Sequence, residues 1–159
     1  MFRVSQKTEY ALRALIELAL RGGADPVPAR EISAAQGIPL RFLEQQLAQL
    51  HKAGLVESFR GAGGGCRLAS PPSQITVARV VDTMEGPYFP MYCLAPEDHT
   101  CLQDSRCGLQ ELWGDVHQAV RGVFERVTVA DLAMRHRRVA PENPVWTAED
   151  LLRPAARSS

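Results

Sequence analysis

Gly37-Ile-Pro-Leu-Arg-Phe-Leu-Glu-Gln-Gln-Leu-Ala-Gln-Leu-His-Lys-Ala-Gly54 (GIPLRFLEQQLAQLHKAG) decides how this 159-residue chain folds. Gly37 stops the segment before it, Pro39 suits no helix interior, and Phe42, Leu43, Leu47 and Leu50 then recur at helical spacing until Gly54. That pattern predicts a helix with Phe42 and the three leucines inward, leaving Arg41, Glu44, Gln45, Gln49 and Lys52 to face outward. Just upstream, Pro28 suits a first helical turn, Ile32 and Ala35 supply an inward face, and Gly37 ends the element. Two short helices joined by a glycine-containing turn are a helix-turn-helix.

The flanks extend this arrangement. Ser5 caps a first helix with an apolar stripe of Tyr10, Ala11, Ala14, Leu15, Leu18 and Ala19, ended by Gly22-Gly23. Downstream, Leu55-Val-Glu-Ser-Phe59 alternates as a strand, Arg60-Gly-Ala-Gly-Gly-Gly65 forms a tight exposed turn, and Cys66-Arg67-Leu68 returns as a second strand. This is a wing. Its glycines let backbone approach phosphate closely, and the flanking Arg60 and Arg67 bring guanidinium groups toward a narrow minor groove. A nucleotide-cradling loop would need Lys and Ser/Thr after the glycines and a helix starting there, and both are missing.

Thr76 caps a helix through Val77, Val80, Val81 and Met84 that stops at Gly86-Pro87. Further on, Leu109, Leu112, Trp113, Val116, Ala119, Val120, Val123, Phe124 and Val127 hold helical spacing for about five turns. So long a stripe exceeds what one small winged helix covers, which predicts a two-fold helix-helix dimer through Leu109, Leu112, Trp113, Val116, Val120 and Val123. Thr128 begins a last short helix through Leu132 to Arg137, and the proline-containing tail reads as loose.

Composition bounds the function. A hydrophobic fraction of 45% with 23% charged residues is that of an ordinary globular protein. The apolar stretch ALRALIELAL is broken by Arg13 and Glu17, which argues against a membrane span and places the protein in the cytoplasm. The net charge of zero conceals an excess of base in the first 67 residues, balanced by acid in the remainder, and that front half suits a nucleic-acid surface. No Ser-His-Asp, Cys-His or paired-carboxylate arrangement supports catalysis, and His51, His117 and His136 share no ligand spacing.

Three of the four cysteines lie in CLAPEDHTCLQDSRC, residues 93 to 107, a segment with neither helix nor strand periodicity. Cys93, Cys101 and Cys107 converging beside the amino end of a helix suit an iron-sulfur cluster, whose negative charge the helix dipole favours. Zinc more often draws four ligands from paired C-x-x-C knuckles, which are absent, although His99 offers a fourth ligand; a metal-free thiol-disulfide sensor is the third reading. Cys66, alone in a strand, reads as a small packing residue.

Thr8-Glu-Tyr-Ala-Leu-Arg13, Gly37-Ile-Pro-Leu-Arg-Phe-Leu-Glu-Gln45, Ala53-Gly-Leu-Val56, the wing glycines and the three-cysteine loop together resemble the winged-helix transcriptional regulators that include the iron-sulfur regulator IscR and the nitric-oxide-sensing NsrR. The resemblance covers about residues 1 to 137. It implies a homodimer on a pseudo-palindromic DNA operator, acting as a repressor, with a 2Fe-2S or 4Fe-4S cluster that senses redox state, nitric oxide or iron-sulfur supply. Some members lack the loop cysteines. In IscR-like members a histidine three residues after the last cysteine is the fourth ligand; Gln110 stands there, and the C-x7-C-x5-C spacing is longer in its first gap. NsrR-like members use a carboxylate near the start of helix one, from the other subunit, and Glu9 matches that position. Arg41, Glu44, Gln45, Arg60, Gly61, Gly63, Gly64 and Gly65 match the DNA-contacting segments, with the Glu44 counterpart in IscR tuning the class of site bound.

The expected architecture is therefore mainly α with a small β-wing: a winged helix-turn-helix over 1–86, a cysteine-rich cluster-binding loop over 87–108, a dimerisation helix with a short terminal helix over 109–138, and a flexible tail over 139–159. The alternatives are a cluster-free regulator using a thiol-disulfide switch, zinc or a protein partner, and a thiol-redox or metal-handling protein that uses the helix-turn-helix as a scaffold.

Overall fold

The computed structural model describes residues 4–22, 25–61, 63–87, 89, 94 and 107–138. Among the described residues, six helices, α1 (Gln6–Arg21), α2 (Ala29–Gln36), α3 (Leu40–Lys52), α4 (Val77–Glu85), α5 (Gly108–Arg126) and α6 (Val129–Arg138), accompany two strands, β1 (Val56–Phe59) and β2 (Gly65–Leu68), with a 3-10 turn at Pro72–Gln74. The fold is a winged helix. None of the helices among the described residues is long and apolar enough to cross a membrane.

Helix α1 forms where the caps dictate. The Ser5 side chain accepts from the Thr8 amide, and Gly22 takes the left-handed conformation (φ 59°) that closes the other end. Ala11, Ala14, Leu15 and Leu18 are buried, and α2, α3, α4 and α6 all pack against this one helix. The small Ala11 and Ala14 let neighbours approach closely, while Leu15, fully buried, fills the centre among Ile32, Leu43, Leu50, Val80 and Val129. Between α2 and α3 the chain turns at Gly37 (φ 60°), and the Ser33 hydroxyl donates to the Ile38 carbonyl at 2.6 Å. Pro28 is the N-cap residue of α2, one position ahead of the first turn expected for it.

The inward face of α3 differs from the one expected. Leu43, Leu47 and Leu50 are buried, but the fourth buried position is Gln46; Phe42 points outward and is 56% exposed. At 100° per residue, Phe42 lies about 105° from the centre of the leucine face, whereas Gln46 lies about 65° from it, on the edge of that face. Burial of Gln46 is compensated by a hydrogen bond from its amide to the Phe42 carbonyl (3.1 Å).

Strands β1 and β2 pair antiparallel with Val56 opposite Leu68 and Phe59 opposite Gly65. The wing is also anchored to the segment before α2: the Val27 and Cys66 amides and carbonyls exchange two hydrogen bonds, at 2.8 and 2.9 Å. That contact explains Gly65. A Cβ there would stand 2.4 Å from the Val27 carbonyl carbon and oxygen.

Helix α6 packs against α1. The Val129 amide donates to the Ile75 carbonyl and the Val77 amide to the Val127 carbonyl, so the start of α6 is stitched to the start of α4, and Val129 is fully buried. The Thr128 hydroxyl and amide both donate to the Asp131 carboxylate, forming a capping box. Helix α5 is different: it has no fully buried residue. Asp82 of α4 receives both of its links to Arg121 (2.7 and 2.8 Å), and Val120, His117 and Phe124 face Val81 across a narrow crevice. The expected stripe is thus divided, with Val120 turned partly toward its own protomer and Leu109, Leu112, Val116 and Val123 exposed at 56%, 53%, 38% and 47%.

The close approach at Gly65 separates structural from peripheral wing glycines. Gly65→Ala should lower unfolding stability by about 1–3 kcal/mol, because the Val27–Pro28 backbone has to move, whereas Gly63→Ala, whose new Cβ would meet nothing within 4 Å, should change it by less than about 0.5 kcal/mol. Urea unfolding of the two variants measures both.

Candidate nucleic-acid interface and cysteine site

On α3 the side chains of Arg41, Glu44 and Gln45 are exposed, as the amphipathic pattern requires. Pro39 occupies the N-cap and offers no side-chain hydrogen bond, so no side chain there caps the first amide donors of α3. Helix amino ends of this kind accept phosphate oxygens. Gln49 is engaged, its amide donating to the Thr83 carbonyl of α4 at 2.7 Å, which fixes α3 against α4 along one flank.

At the wing tip Arg60, Gly61 and Gly63 are exposed, while Gly64 and Gly65 are partly covered. Gly61 has φ 103°, and its carbonyl accepts from the Gly64 amide at 2.9 Å, closing the turn. A Cβ on Gly64 would lie 2.6 Å from the Phe59 carbonyl oxygen, so tight turn geometry demands that glycine. Arg67 corrects the expectation of two groove-directed guanidinium groups. It bonds Glu57 at 2.8 Å across the strand pair and lies over the Phe59 ring at 4.8 Å, so it braces the wing.

Of the cysteines, Cys107 is described: it is the N-cap residue of α5, half-buried, in no disulfide, and its carbonyl accepts from the Gln110 amide at 3.0 Å. Cys93, Cys101 and His99 lie outside the described residues. Among the described residues no three ligand-type side chains converge. Cys66 is 4% exposed, its thiol approaches the Val27 carbonyl, and burial pushes its pKa up to about 11, which leaves it a packing residue of low reactivity. His51 bonds the Val56 carbonyl through Nδ1 at 3.0 Å, and His117 stacks on Phe89, so both have structural occupations. Trp113 is 37% exposed on α5.

Glu9 sits in the first turn of α1 with its side chain 57% exposed, 3.3 Å from the Arg13 guanidinium. Arg13 also donates to the backbone carbonyl of Gln36, the last residue of α2, and to its side-chain oxygen at 3.4 Å. The chain of contacts continues through the Gln36 amide to Glu17 (2.9 Å), then to Arg21 (2.8 Å) and Glu31 (2.5 Å). Burial raises the Glu17 pKa, but hydrogen bonds from Arg21 and Gln36 outweigh it and leave the carboxyl below its usual range. This seam ties the start of α1 to both ends of α2. Only its i,i+4 pairs, Glu9–Arg13 and Glu17–Arg21, were visible as sequence spacing.

A second cluster that sequence spacing does not reveal lies where the chain leaves α4 for the cysteine segment. Glu85, the last residue of α4, accepts hydrogen bonds from the Ser5 and Thr8 hydroxyls and pairs with Lys7 at 3.4 Å. The start of α1, which carries Glu9, is therefore clamped to the point where the chain leaves for the cysteines.

Comparison with known proteins agrees with this geometry. The Rrf2 family profile, described as an iron-dependent transcriptional regulator, matches residues 4–135. The HTH-type transcriptional regulator IscR of Serratia proteamaculans is 36% identical over 130 residues, spanning 82% of this chain and 78% of that protein. Among solved structures, CymR, the global cysteine regulator of B. subtilis, aligns with a TM-score of 0.74 and 35% identity over 85% of this chain and 98% of its own. IscR from T. potens aligns with a TM-score of 0.69 and 30% identity over 89% and 93%.

Titration reports the Glu85 clamp. Burial pushes the Glu85 carboxyl up, yet the Ser5 and Thr8 hydroxyls and the Lys7 charge prevail and hold its pKa below the ordinary value. A depressed folded-state pKa contributes stability above the unfolded value of about 4.3 and loses it as pH falls through the folded pKa. Glu85→Gln should therefore be less stable than the parent at neutral pH, with the difference narrowing below about pH 4.3. Thermal unfolding of both proteins between neutral and acid pH tests the sign.

Proposed function

The chain belongs to the Rrf2 family of winged-helix transcriptional regulators, DNA-binding proteins rather than enzymes, and from that premise we propose a homodimeric repressor whose operator affinity is set by an iron-sulfur cluster on Cys93, Cys101 and Cys107. The observation that carries the reading is the position of Cys107. A half-buried thiol, outside any disulfide, heads the long helix α5, where the helix dipole favours an anionic centre. The described donors fit such a group: a thiol at a helix amino end and, on α1, an exposed carboxylate. We assign Glu9 of the partner subunit as the fourth ligand, since Gln110 is a poor donor to iron. When bound, the cluster supplies a redox- and nitric-oxide-reactive centre beside the dimer helix.

The exposed apolar residues of α5 support the dimer. Leu109, Leu112, Trp113, Val116 and Val123 form a face that a second α5 would cover, and two-fold pairing would set two α3 helices against successive major-groove segments of a pseudo-palindrome. In that arrangement Arg41, Glu44 and Gln45 read or position on bases, the first turn of α3 meets phosphate, and Arg60 with Gly61 and Gly63 enters the minor groove. Gly64 and Gly65 act by shaping the wing.

Coupling runs through the chain's own residues. Glu9 holds Arg13, Arg13 holds the carboxyl end of α2, and α2 leads through Gly37 into α3. A change in the surroundings of the Glu9 carboxylate is thereby felt at the helix-turn-helix. A coupling of about 1–3 kcal/mol suffices to shift operator affinity about 5- to 150-fold. The likeness to the global cysteine regulator favours a second reading, a metal-free thiol switch using the same three cysteines.

Anaerobic purification distinguishes the two. The expected product is a brown dimer with sulfide-to-iron absorption and a Mössbauer signature. Alanine at Cys93, Cys101 or Cys107 should weaken or abolish the colour, and Cys66→Ala should leave it. A colourless protein with stoichiometric zinc, or one whose DNA affinity follows thiol oxidation alone, sinks the cluster assignment. Glu9→Ala should still acquire a cluster, with an altered spectrum, and should show much less difference in operator affinity between loaded and cluster-free forms. An unchanged spectrum together with the full affinity difference would remove Glu9 from the ligand set.

A further inference from the structure

We infer that Phe42 is a specificity-determining residue that reads the 5-methyl group of a thymine in the operator. The inference rests on the DNA-binding role of α3 and concerns what that helix recognises. Phe42 occupies the third position of α3 and is 56% exposed, the same as Leu109 and above every other large apolar side chain among the described residues. Leu109 and its neighbours on α5 form a continuous face suited to a second copy of the chain, whereas Phe42 stands among polar neighbours: Arg41 before it and Gln45 and Gln49 along the same side of the helix, all exposed. A ring placed there gains nothing from the core. The first turn of a helix in a helix-turn-helix is the part that reaches base edges, and the thymine methyl is the apolar feature of the major groove.

The backbone that carries the ring is held in place. The Gln46 amide donates to the Phe42 carbonyl, the Leu43 amide donates to the Pro39 carbonyl at 3.0 Å, and Gln49 is tied to Thr83 of α4 on the same flank. Those bonds fix the point from which the ring projects. Arg41 beside it supplies phosphate or guanine contacts with charge, and Phe42 adds what charge lacks: discrimination of thymine from cytosine, which carries hydrogen in place of the methyl at that ring position. A lone exposed aromatic is otherwise an ordinary surface feature.

Removing the methyl from the DNA tests the contact without disturbing the protein. An operator obtained by random-site selection with the full-length dimer would be resynthesised with each thymine replaced in turn by deoxyuridine, symmetrically in both half-sites, and titrated with the parent, Phe42→Ala and Phe42→Leu. For the parent, one symmetric thymine pair should lose roughly 4-fold in affinity per half-site, the loss expected for one uncovered methyl. Phe42→Ala should bind the unsubstituted operator more weakly and be insensitive to deoxyuridine at that pair. Phe42→Leu should retain part of the sensitivity. Circular dichroism of the variants should match the parent, since no core contact is removed. If the parent shows no deoxyuridine-sensitive pair, or Phe42→Ala remains as sensitive as the parent, Phe42 reads no methyl and the inference falls while DNA binding stands. Failure of the parent to select any sequence overturns the DNA-binding reading itself.

Discussion

The burial of one face of α1 is the constraint on which the rest depends. Leu15 is fully buried where four other helices meet α1, and the small Ala11 and Ala14 let those helices come near. Because α2, α3, α4 and α6 all lean on this helix, none has a position independent of it. Truncating a buried leucine typically costs about 2–5 kcal/mol, a large part of a small domain's total stability, so the arrangement tolerates little change at its centre. Interiors this dense shift as units. The orientation of α3 is therefore inherited from α1, on whose outer side Glu9, Arg13 and Glu17 stand.

The wing obeys a second, local constraint. Cys66 pairs with Val27 as a β-bridge, so the hairpin is joined to the lead-in of α2 and its base cannot swing freely. Arg67 is spent on Glu57 and Phe59 in the same cause. A stiff hairpin projects Arg60 from a defined place, and stiffness matters because ordering a loose loop on binding would subtract from affinity. Division of labour among the wing glycines follows: two satisfy close packing, and the others keep the tip bare.

Most of the fold was legible because its signals are local. Ser5, Gly22, Gly37, Thr76 and Thr128 punctuate the helices by capping chemistry that works within four residues, and the structure places helix ends at each. Reading failed where the partner is distant in sequence. Phe42 is apolar, yet the inward place belongs to Gln46, a polar residue that periodicity of hydrophobicity passes over. Docking of α6 on α1 depends on a β-bridge between Thr76 and Thr128, and the Glu85 clamp on residues some eighty positions away. Gly65 looked like part of a uniform glycine run, although its necessity comes from the Val27 backbone. In the candidate site, exposure of Arg41, Glu44, Gln45 and Arg60 followed from simple amphipathicity, but the seam from Glu9 through Arg13 to Gln36 needed tertiary structure to appear.

These contacts also decide which helix is fit to carry a signal. Helix α5 adjoins Cys107, yet it has no buried residue and is fastened to α4 by the Asp82–Arg121 pair and a narrow crevice. Exposed ion pairs of that kind contribute little, typically under about 1 kcal/mol. Helix α1 has the opposite character, with four helices packed on it and its amino end clamped by Ser5 and Thr8 to Glu85. From the middle of α1, Arg13 spans the gap to the Gln36 carbonyl at the end of α2. The loop that carries the cysteines begins at the clamped end of α4 and finishes at Cys107, the N-cap residue of α5. The anchor at Glu85 is joined through Ser5 and Thr8 to α1, the helix on which both helices of the helix-turn-helix pack.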